Sequence, residues 1–407
     1  MVVKIPAEVN KIIDTLASNG HEAFVVGGCV RDSLRGVTPK DWDIATSAKP
    51  SQVMGIFPRT VKTGLKHGTV TVLFNCRKYE VTTYRIDGQY LDSRRPENVT
   101  FTSNIEEDLS RRDFTMNAIA YNPSCGFIDP FDGQGDIGRK IIRCVGHADY
   151  RFGEDALRML RAIRFAAQLG FTVENTAIAA ITARRASLAN ISAERIREEL
   201  VRLLISPHVE ATYLLETTGL LFYMFSGHVY SGDLTHIIPL LTACPVDVHL
   251  RLVIFFSWSG ESCVKLLQAL RFSNETIREV SLYIRLLYAA IPLDRYEIKK
   301  CLRQISRAPF EKNHEIQVRF EKLLTLQALV RPYDADRIAT IRCEAQDILT
   351  KGECYTLRNL SVNGEDLAAA GIPRGKAIGD KLEELLDAVM RDPMLNDSLP
   401  SYYASKL

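Results

Sequence analysis

Residues 22–46 read EAFVVGGCVRDSLRGVTPKDWDIAT, and this stretch decides the fold of the first part of the chain. The apolar run 23–26 predicts a short buried strand, which Gly27 and Gly28 break sharply. Residues 29–36 have helical spacing and end in a glycine, a common residue just after a helix. Two glycines between a strand and a helix predict backbone N–H groups that face outward, which suits a phosphate group.

The second half of the stretch carries two carboxylates, Asp41 and Asp43. Alternation through Ile44 predicts a strand on which both carboxylates share a face, while Trp42 and Ile44 point into the core. Like charges on one face repel unless a cation lies between them. Taken singly, the glycine turn is a tight connection and the Asp-x-Asp pair a solvated strand face. Their combination favours Mg²⁺-assisted phosphoryl or nucleotidyl transfer.

The order of residues in this stretch resembles the opening of the tRNA nucleotidyltransferase/poly(A) polymerase family, and most of all the bacterial class II CCA-adding enzymes. The matching residues are Gly27, Gly28, Val30, Arg31, Asp32, Leu34, Gly36, Asp41, Asp43, Ile44, Ala45 and Thr46. The resemblance implies that Asp41 and Asp43 are catalytic residues that hold Mg²⁺. It also implies that Gly28 and Arg31 contact the nucleotide.

The rest of the first 147 residues mixes strand and helix patterns, which predicts an α+β head with a mixed β-sheet. Glu80, in a strand predicted over 79–85, could be a third metal-site carboxylate, and a solvated strand position is an equally good interpretation. Residues 86–101 have no period and many charged or turn residues, which predicts a long loop. The loop is either a surface insertion of no consequence or, as the resemblance implies, the family's flexible loop associated with the final A addition.

A charge run over 106–113 would by itself predict a solvated helix face. Its end, Arg111-Arg112-Asp113, resembles the Arg-Arg-Asp motif of the family, and the following Phe-Thr-x-Asn-Ala also matches. The guanidinium of Arg112 can fork onto triphosphate oxygens or a ribose hydroxyl, and Asp113 can accept a hydrogen bond from the sugar. The resemblance therefore implies a catalytic and nucleotide-binding role for Arg112.

From Gly153 onward the pattern is almost wholly helical, and residues 154–166 predict a single helix. Its Glu-Asp-x-x-Arg opening resembles the family's base-recognition motif, which implies nucleotide binding by Asp155, Arg158, Arg161 and Arg164. A spacing of three puts Asp155 and Arg158 on one side of a helix, where together they could accept C and A and reject U and G. The alternatives are an intrahelical ion pair and a solubilising arginine face. The same spacing winds around the helix, so Asp155 and Arg164 cannot both point straight at one ligand.

Composition limits the class of protein. The net charge of +2 over 407 residues is too small to indicate a nucleic-acid binder, so RNA binding would rest on local basic patches. Nine cysteines without a Cys-x-x-Cys pair predict a reducing, cytoplasmic location without disulfides or zinc. The first residues lack the features of a secretion signal, and the apolar run 252–258 is too short to span a bilayer, so no membrane association is predicted.

The predicted domains are a catalytic head over 1–147, a helical neck with base recognition over 148–205, a helical body over 206–300 and a helical, tRNA-binding tail over 301–407. Scattered basic residues at the end of the body and the start of the tail could contribute to RNA binding, among them Arg295, Lys299, Lys300, Arg303 and Arg307. In the glycine-rich stretch 371–379 of the tail, Arg374 and Lys376 could hold RNA phosphates, and plain helix capping is an equally good interpretation.

The resemblance, carried by these features, implies template-independent addition of C, C and A to the 3′ end of tRNA from CTP and ATP. Two Mg²⁺ ions at Asp41 and Asp43 would assist the transfer and the release of pyrophosphate. Within the same class, the alternatives are a CC-adding enzyme, an A-adding enzyme and a poly(A) polymerase. A different class would be an inactive RNA-binding helical scaffold, which intact Asp41, Asp43 and Arg112 argue against. The protein would act as a monomer or a homodimer.

Overall fold

The computed structural model describes residues 3–75, 77–88, 99–225, 227–230, 232–260, 262–306 and 313–405. The chain forms two compact units, the first made of Met1–Thr242 and Val264–Phe272 and the second of Ala243–Cys263 and Ser273–Leu407. The predicted head and neck lie within the first unit, and the predicted body contributes residues to both. The division into four domains stays a prediction.

The first unit opens with alternating helices and strands. In chain order they are α1 (Ala7–Ser18), β1 (Ala23–Val26), α2 (Gly28–Leu34), β2 (Asp43–Thr46), α3 (Pro50–Ile56), β3 (Thr60–Gly64), β4 (Thr69–Phe74), β5 (Arg77–Thr83), β6 (Arg85–Asp87), β7 (Val99–Phe101), α4 (Ile105–Ser110), β8 (Ala120–Asn122), β9 (Gly126–Ile128), α5 (Gly133–Arg139) and β10 (Ile141–Ile142). One sheet has the strand order β3-β4-β5-β2-β1-β8-β9. In it β2 is parallel to β5 and antiparallel to β1, which confirms the mixed sheet of an α+β head.

The core of this region lies between the sheet and α4. All four residues of β1 are buried, as its unbroken apolar run predicts. Phe24 and Val26 of β1 pack in one cluster with Ile105 and Leu109 of α4, and the cluster also contains the fully buried Tyr84. This packing fixes α4 beneath the sheet, and α4 leads directly into the Arg111-Arg112-Asp113 segment.

Two expectations for this region were wrong in detail. Strand β2 begins at Asp43 and not at Asp41, because its ladder with β5 starts at the Asp43–Glu80 pair. As a result Trp42 is only half-buried and does not point into the core. The ends of the predicted loop 86–101 form a hairpin, in which β6 pairs with β7 from Arg85 opposite Phe101 to Asp87 opposite Val99. Residues 89–98 of that predicted loop lie outside the described residues.

The remainder of the first unit is nearly all helical. Its elements are α6 (Ala148–Glu154), α7 (Leu157–Leu169), β11 (Thr172–Val173), α8 (Asn175–Arg184), α9 (Ala193–Leu204), α10 (Tyr213–Thr217), α11 (Leu220–Tyr223) and α12 (Leu234–Ala243). The single helix predicted over 154–166 is wrong, because α6 ends at Glu154 and Asp155 is extended, with φ −140° and ψ 106°. The Asp155 carboxylate accepts a hydrogen bond from the Leu157 N–H at 3.1 Å, which starts a new helix in place of continuing the old one.

The chain continues through α13 (Val248–Phe256), α14 (Ser262–Ala269), α15 (Asn274–Leu287), α16 (Arg295–Ile305), α17 (Asn313–Val330), α18 (Ala335–Lys351), α19 (Gly364–Ala369), α20 (Lys376–Arg391) and α21 (Leu395–Ala404). Apart from most of α14, these helices belong to the second unit. The prediction of a helical remainder after the head is confirmed. Within the described ranges, no helix combines the length and apolar character needed to cross a membrane.

Candidate active site

A cavity of 1440 Å³ opens over one face of the sheet. Its volume exceeds the ~300–1,000 Å³ of a typical small-molecule site, so it has room for more than one reactant. Its charged and hydroxyl-bearing lining residues include Asp41, Asp43, Glu80, Lys4, Lys40, Arg77, Lys78, Thr63 and Thr71. The structure therefore brings the two sequence-predicted carboxylates together in one cavity.

The sheet register places Glu80 beside Asp43. Strand β5 pairs Glu80 with Asp43 of the parallel β2 and with Thr71 of the antiparallel β4. Residues paired across neighbouring strands project from the same face, so Asp43, Glu80 and Thr71 form one row. Along β5, Tyr79 and Val81 are buried and Glu80 is exposed, in agreement with the period of two. Glu80 is thus positioned to act with Asp43, although its role stays a prediction.

The surroundings of Asp43 raise the pKa of its carboxyl above the ordinary value. Burial against the protein is the main cause; the Arg112 guanidinium lowers the pKa, and the Glu80 and Asp41 carboxylates raise it. Asp43 nevertheless has solvent-accessible surface within the cavity. A cation that enters the cavity can therefore reach the carboxylate and offset the repulsion from its acidic neighbours.

The donor set fits Mg²⁺, because hard divalent cations prefer carboxylate oxygens. In the part of the chain that the structure describes, no three His, Cys, Asp or Glu side chains are grouped closely enough to hold a metal ion. Mg²⁺ does not require such a group, since it usually binds through one or two carboxylates together with substrate phosphates and water. Asp41 and Asp43, with a bound triphosphate, satisfy this requirement.

The glycine pair after β1 makes room for a guanidinium group. Gly27 has a φ of +74°, and a Cβ at this position would lie 2.9 Å from Nη1 of Arg112. The expectation that both glycines present free N–H groups is wrong for Gly27, whose N–H donates to the Ile119 carbonyl at 3.2 Å. Gly27 is therefore required for its backbone conformation and for the close approach of Arg112. The nucleotide contact predicted for Gly28 stays a prediction.

Arg112 is held on two sides, through Nη1 and Nη2, while its Nε is hydrogen-bonded to none of the described residues. Its Nη2 donates to Asp108 Oδ2 at 3.1 Å, and its Nη1 donates to the Asn117 carbonyl at 3.4 Å. Its Nε is buried and has no hydrogen-bond partner among the described residues. Buried guanidinium N–H groups are normally satisfied, so an unpaired Nε indicates a position that a bound anion would complete.

Arg31, Arg161 and Arg164 converge on the ring of Phe165. Their guanidinium carbons lie 5.3, 5.4 and 3.9 Å from the ring centroid. Asn117 joins this group to the glycine turn, because its Oδ1 accepts from Arg31 at 2.8 Å while its carbonyl accepts from Arg112. The structure thus brings together three of the predicted nucleotide-binding arginines, Arg31 of α2 and Arg161 and Arg164 of α7.

Asp113 is enclosed by protein donors. One oxygen accepts twice from Arg161, at 2.8 and 2.5 Å, and the other accepts from the Phe114 N–H and from Asn117. Burial would raise the pKa of Asp113, but the Arg161 guanidinium holds it well below the ordinary value. These four hydrogen bonds occupy the acceptor sites that the predicted bond to the sugar would use.

Asp155 and Arg158 are each held by other residues. Asp155 pairs with Arg195 of α9 at 2.8 Å. The buried Arg158 pairs with Glu154 and donates to the Arg111 carbonyl at 3.2 Å. Because Asp155 lies outside α7, helical spacing does not place it on one face with Arg158, and that part of the prediction was wrong. Their role in base recognition stays a prediction that rests on the resemblance.

Three functional candidates were not found from the sequence. Asp108 pairs with Arg112, Glu199 pairs with Arg164 at 2.5 Å, and Arg195 pairs with Asp155. The Asp108–Arg112 pair was detectable, since the two residues are four apart in and just after a helix. The other two pairs join α9 to residues 35 and 40 positions away, and no local pattern signals them.

Most basic residues that the sequence suggested for RNA binding at the end of the body and in the tail have acidic partners. Arg295 binds Glu344, Asp347 and Glu353, the buried Lys299 binds Glu353, Lys300 binds Glu297 and Arg303 binds Glu383. Arg374 binds Glu365 at 2.6 Å, and Gly375 adopts a φ of +105° before α20. Arg307 lies outside the described residues. Ion pairing therefore accounts for most of these basic residues that the structure describes.

Comparison with known proteins adds independent support for the family. The "Poly A polymerase head domain" family matches residues 23–143, the "Probable RNA and SrmB-binding site of polymerase A" matches residues 170–230, and tRNA nucleotidyltransferase domain 2 matches residues 247–398. A CCA-adding enzyme from Lactiplantibacillus plantarum is 38% identical over 97% of this chain and 95% of its own length. The chain belongs to the CCA-adding enzyme family.

Two other members of this family match the chain over different lengths. A CCA-adding enzyme from Geobacillus thermodenitrificans is 54% identical over 214 residues, which span 52% of this chain and about half, 53%, of that relative. A crystal structure of the Bacillus stearothermophilus CCA-adding enzyme in complex with CTP has a TM-score of 0.79 and 32% identity, and the match covers 98% of this chain and 96% of that one. The likeness therefore extends over both units of the fold.

Proposed function

We propose that this protein adds C, C and A to the 3′ end of tRNA from CTP and ATP without a nucleic-acid template. The observation that carries the proposal is the cavity that Asp41, Asp43 and Glu80 line, with Arg112, whose Nε has no partner among the described residues, close enough to Asp43 to lower its pKa. The near full-length similarity to a CCA-adding enzyme supports the choice of reaction over other nucleotidyl transfers.

The reaction joins the primer's 3′-oxygen to the α-phosphorus of the nucleotide and breaks the bond to the β-phosphate, which releases pyrophosphate. Asp41 and Asp43 would hold Mg²⁺, and Glu80 lies beside Asp43 on the same sheet face. When bound, Mg²⁺ lowers the pKa of the attacking hydroxyl and neutralises charge on the triphosphate. Catalysis by the chain's own residues is then mainly positioning and charge neutralisation.

Arg112 binds the triphosphate through its free Nε, at the point where Gly27 lets the guanidinium approach the backbone. Arg31, Arg161 and Arg164, gathered around Phe165, extend this positive region toward α7. Asp155 and Arg158 read the base edge, as the family resemblance implies. The pairs that they form with Arg195 and Glu154 hold both side chains at the junction of α6 and α7.

Three basic residues that line the same cavity suit the RNA primer. Lys40, Arg77 and Lys78 are exposed there, and the described residues include no acidic partner for any of the three. Lysine and arginine side chains on an open surface commonly position the phosphates of a nucleic-acid backbone. We place this activity in the cytoplasm, where the free cysteines of the described ranges would stay reduced.

The test is incubation of the protein with Mg²⁺ and a tRNA that lacks its CCA end, with CTP, ATP or both, and sizing of products at one-nucleotide resolution. The proposal expects two added cytidines with CTP alone and three added nucleotides with both. A stop after two cytidines with both nucleotides indicates a CC-adding enzyme, and extension only of a tRNA that already ends in CC indicates an A-adding enzyme. Long adenosine tails indicate a poly(A) polymerase, and no product indicates an inactive RNA-binding scaffold.

A further inference from the structure

Asp108 joins three parts of the head through one carboxylate. Oδ1 accepts from Nε and Nη2 of Arg111 at 3.0 and 2.6 Å and from the backbone N–H of Arg85 at 3.3 Å. Oδ2 accepts from Nη2 of Arg112 at 3.1 Å. The side chain is only 1% exposed and both of its oxygens already accept hydrogen bonds from protein donors, so Asp108 is not itself a ligand-binding group.

The contacts of Arg112 show what this carboxylate controls. The guanidinium is fixed at Nη2 by Asp108 and at Nη1 by the Asn117 carbonyl, and it packs against Gly27. These three restraints leave Nε without a partner among the described residues. A guanidinium is planar and rigid, so fixing two of its nitrogens also fixes the direction of the third.

We propose that Asp108 is a positioning residue for nucleotide binding, which orients Arg112 so that its free donor meets the triphosphate. Asp108 acts only through Arg112 and touches neither substrate. This inference rests on the proposed function, because it takes the anion bound by Arg112 to be the triphosphate of CTP or ATP.

The charge of Asp108 supports this role. Burial would raise the pKa of Asp108, but Arg112 and Arg111 hold it below the ordinary value, so the carboxylate stays ionised at neutral pH. An ionised acceptor forms shorter and stronger hydrogen bonds with a guanidinium than a neutral amide does. Asp108→Asn keeps the shape of the side chain and removes the charge, so it tests positioning with little change in packing.

The experiment measures the affinities of wild type and Asp108→Asn for CTP and CMP by calorimetry. Because CMP lacks the β- and γ-phosphates, we expect the Kd for CTP to rise about 10-fold while the Kd for CMP changes less than about twofold. The KM for CTP should rise in parallel, and the KM for tRNA should not. The matched control is Glu106→Gln, which makes the same charge change at an exposed position of α4. Equal weakening of CTP and CMP, or unchanged CTP binding, would overturn the proposal.

A double-mutant cycle tests whether Asp108 acts through Arg112. If it does, adding Asp108→Asn to Arg112→Ala should raise the Kd for CTP by less than about twofold, since the group that Asp108 positions is already gone. A further 10-fold loss in that background would contradict the proposal. If Asp108→Asn melts far below wild type, Asp108→Glu replaces it, and a selective loss of CTP over CMP is again required. Wild-type protein that binds CTP but does not extend tRNA would overturn the proposed function alone, and protein that does not bind CTP would overturn both.

Discussion

Arg112 in the first unit and Arg295 in the second are both partly exposed arginines with carboxylate partners, yet their hydrogen bonding is opposite. Arg295 uses all three guanidinium nitrogens on acids, binding Glu344, Asp347 and Glu353. Arg112 has one carboxylate, Asp108, and keeps a buried Nε without a partner in the described ranges.

This difference separates arginines that stabilise the fold from arginines that can bind a ligand. A guanidinium whose donors are all satisfied by carboxylates gains little from a phosphate, because the phosphate must displace an existing ion pair. A guanidinium with an unsatisfied buried donor gains a hydrogen bond without losing one. Net charge alone therefore does not locate an RNA or nucleotide site in this chain.

The largest expected effect concerns the chemistry of the cavity. Asp43→Asn should lower the rate of nucleotide addition by roughly a thousandfold or more, because the metal that it would hold supplies several kcal/mol of charge stabilisation. Binding of tRNA in a gel-shift assay should persist. Asp347→Asn, which removes an acid bound by Arg295, is the matched control and should leave the rate unchanged. Near-normal turnover in Asp43→Asn would exclude the proposed metal site.

Alanine substitutions at the two arginines should have different effects, one on activity and the other on stability. Arg112→Ala should lower kcat/KM for CTP about 100-fold, since a charge-assisted contact to the triphosphate is lost. Arg295→Ala should leave kcat/KM unchanged and lower the free energy of unfolding by about 1 kcal/mol, because its partly exposed acids lose a shared charged partner. Steady-state kinetics and urea unfolding of both variants make the comparison. The proposed distinction between the two arginines is wrong if Arg295→Ala reduces activity as strongly as Arg112→Ala.

A smaller effect is expected at the basic residues that line the cavity. Arg77→Ala and Lys78→Ala should each raise the KM for tRNA about two- to fivefold, with little change in the KM for CTP, and should reduce the salt dependence of tRNA binding. Lys62→Ala is the control, because Lys62 is exposed in β3 but does not line the cavity. Equal effects of all three variants would indicate that tRNA responds to the overall positive charge of this surface and not to defined contacts with Arg77 and Lys78.

The smallest effect is on stability as a function of pH. The folded-state pKa of Asp43 is raised, so its ionised form destabilises the folded protein at neutral pH, and this cost disappears as the pH falls through that raised pKa. Without metal, Asp43→Asn should therefore be more stable than wild type at neutral pH, by about 1 kcal/mol or less because Asp43 is exposed and screened by water. The gain should vanish in acid.

Asp347→Asn should change the free energy of unfolding in the opposite direction to Asp43→Asn. Urea unfolding of both variants at several pH values measures the two changes. The pKa of Asp347 is lowered by Lys351 and Arg295, so its contribution is present above the unfolded-state pKa and is lost as the pH falls through the lower folded value. Asp347→Asn should accordingly be less stable than wild type at neutral pH and equal to it in strong acid. If Asp43→Asn and Asp347→Asn change the free energy of unfolding at neutral pH in the same direction, the contrast between the two regions is wrong.

Local patterns in the sequence were sufficient for several elements. The apolar run before the glycines forms β1 over the predicted residues, and the alternation in β5 places Glu80 on the open face. Both features depend only on residues within one element, where side-chain periodicity is set by backbone geometry. The helix break at Asp155 was missed for a local reason of a different kind, since its side chain bonds the Leu157 N–H and overrides the helical pattern.

The sequence alone therefore predicted the strand, glycine turn and helix at the start of the head, the Asp41 and Asp43 pair and the family, because these depend on residues close together in the chain. Only the tertiary structure decided that Glu80 lies beside Asp43, that Arg161 neutralises Asp113 across 48 residues, and that Arg295 meets acids 49 to 58 residues away. Whether a charged side chain is free depends on which partners the fold brings within hydrogen-bond distance. That distance is a property of strand register and helix packing, which no single stretch of sequence specifies.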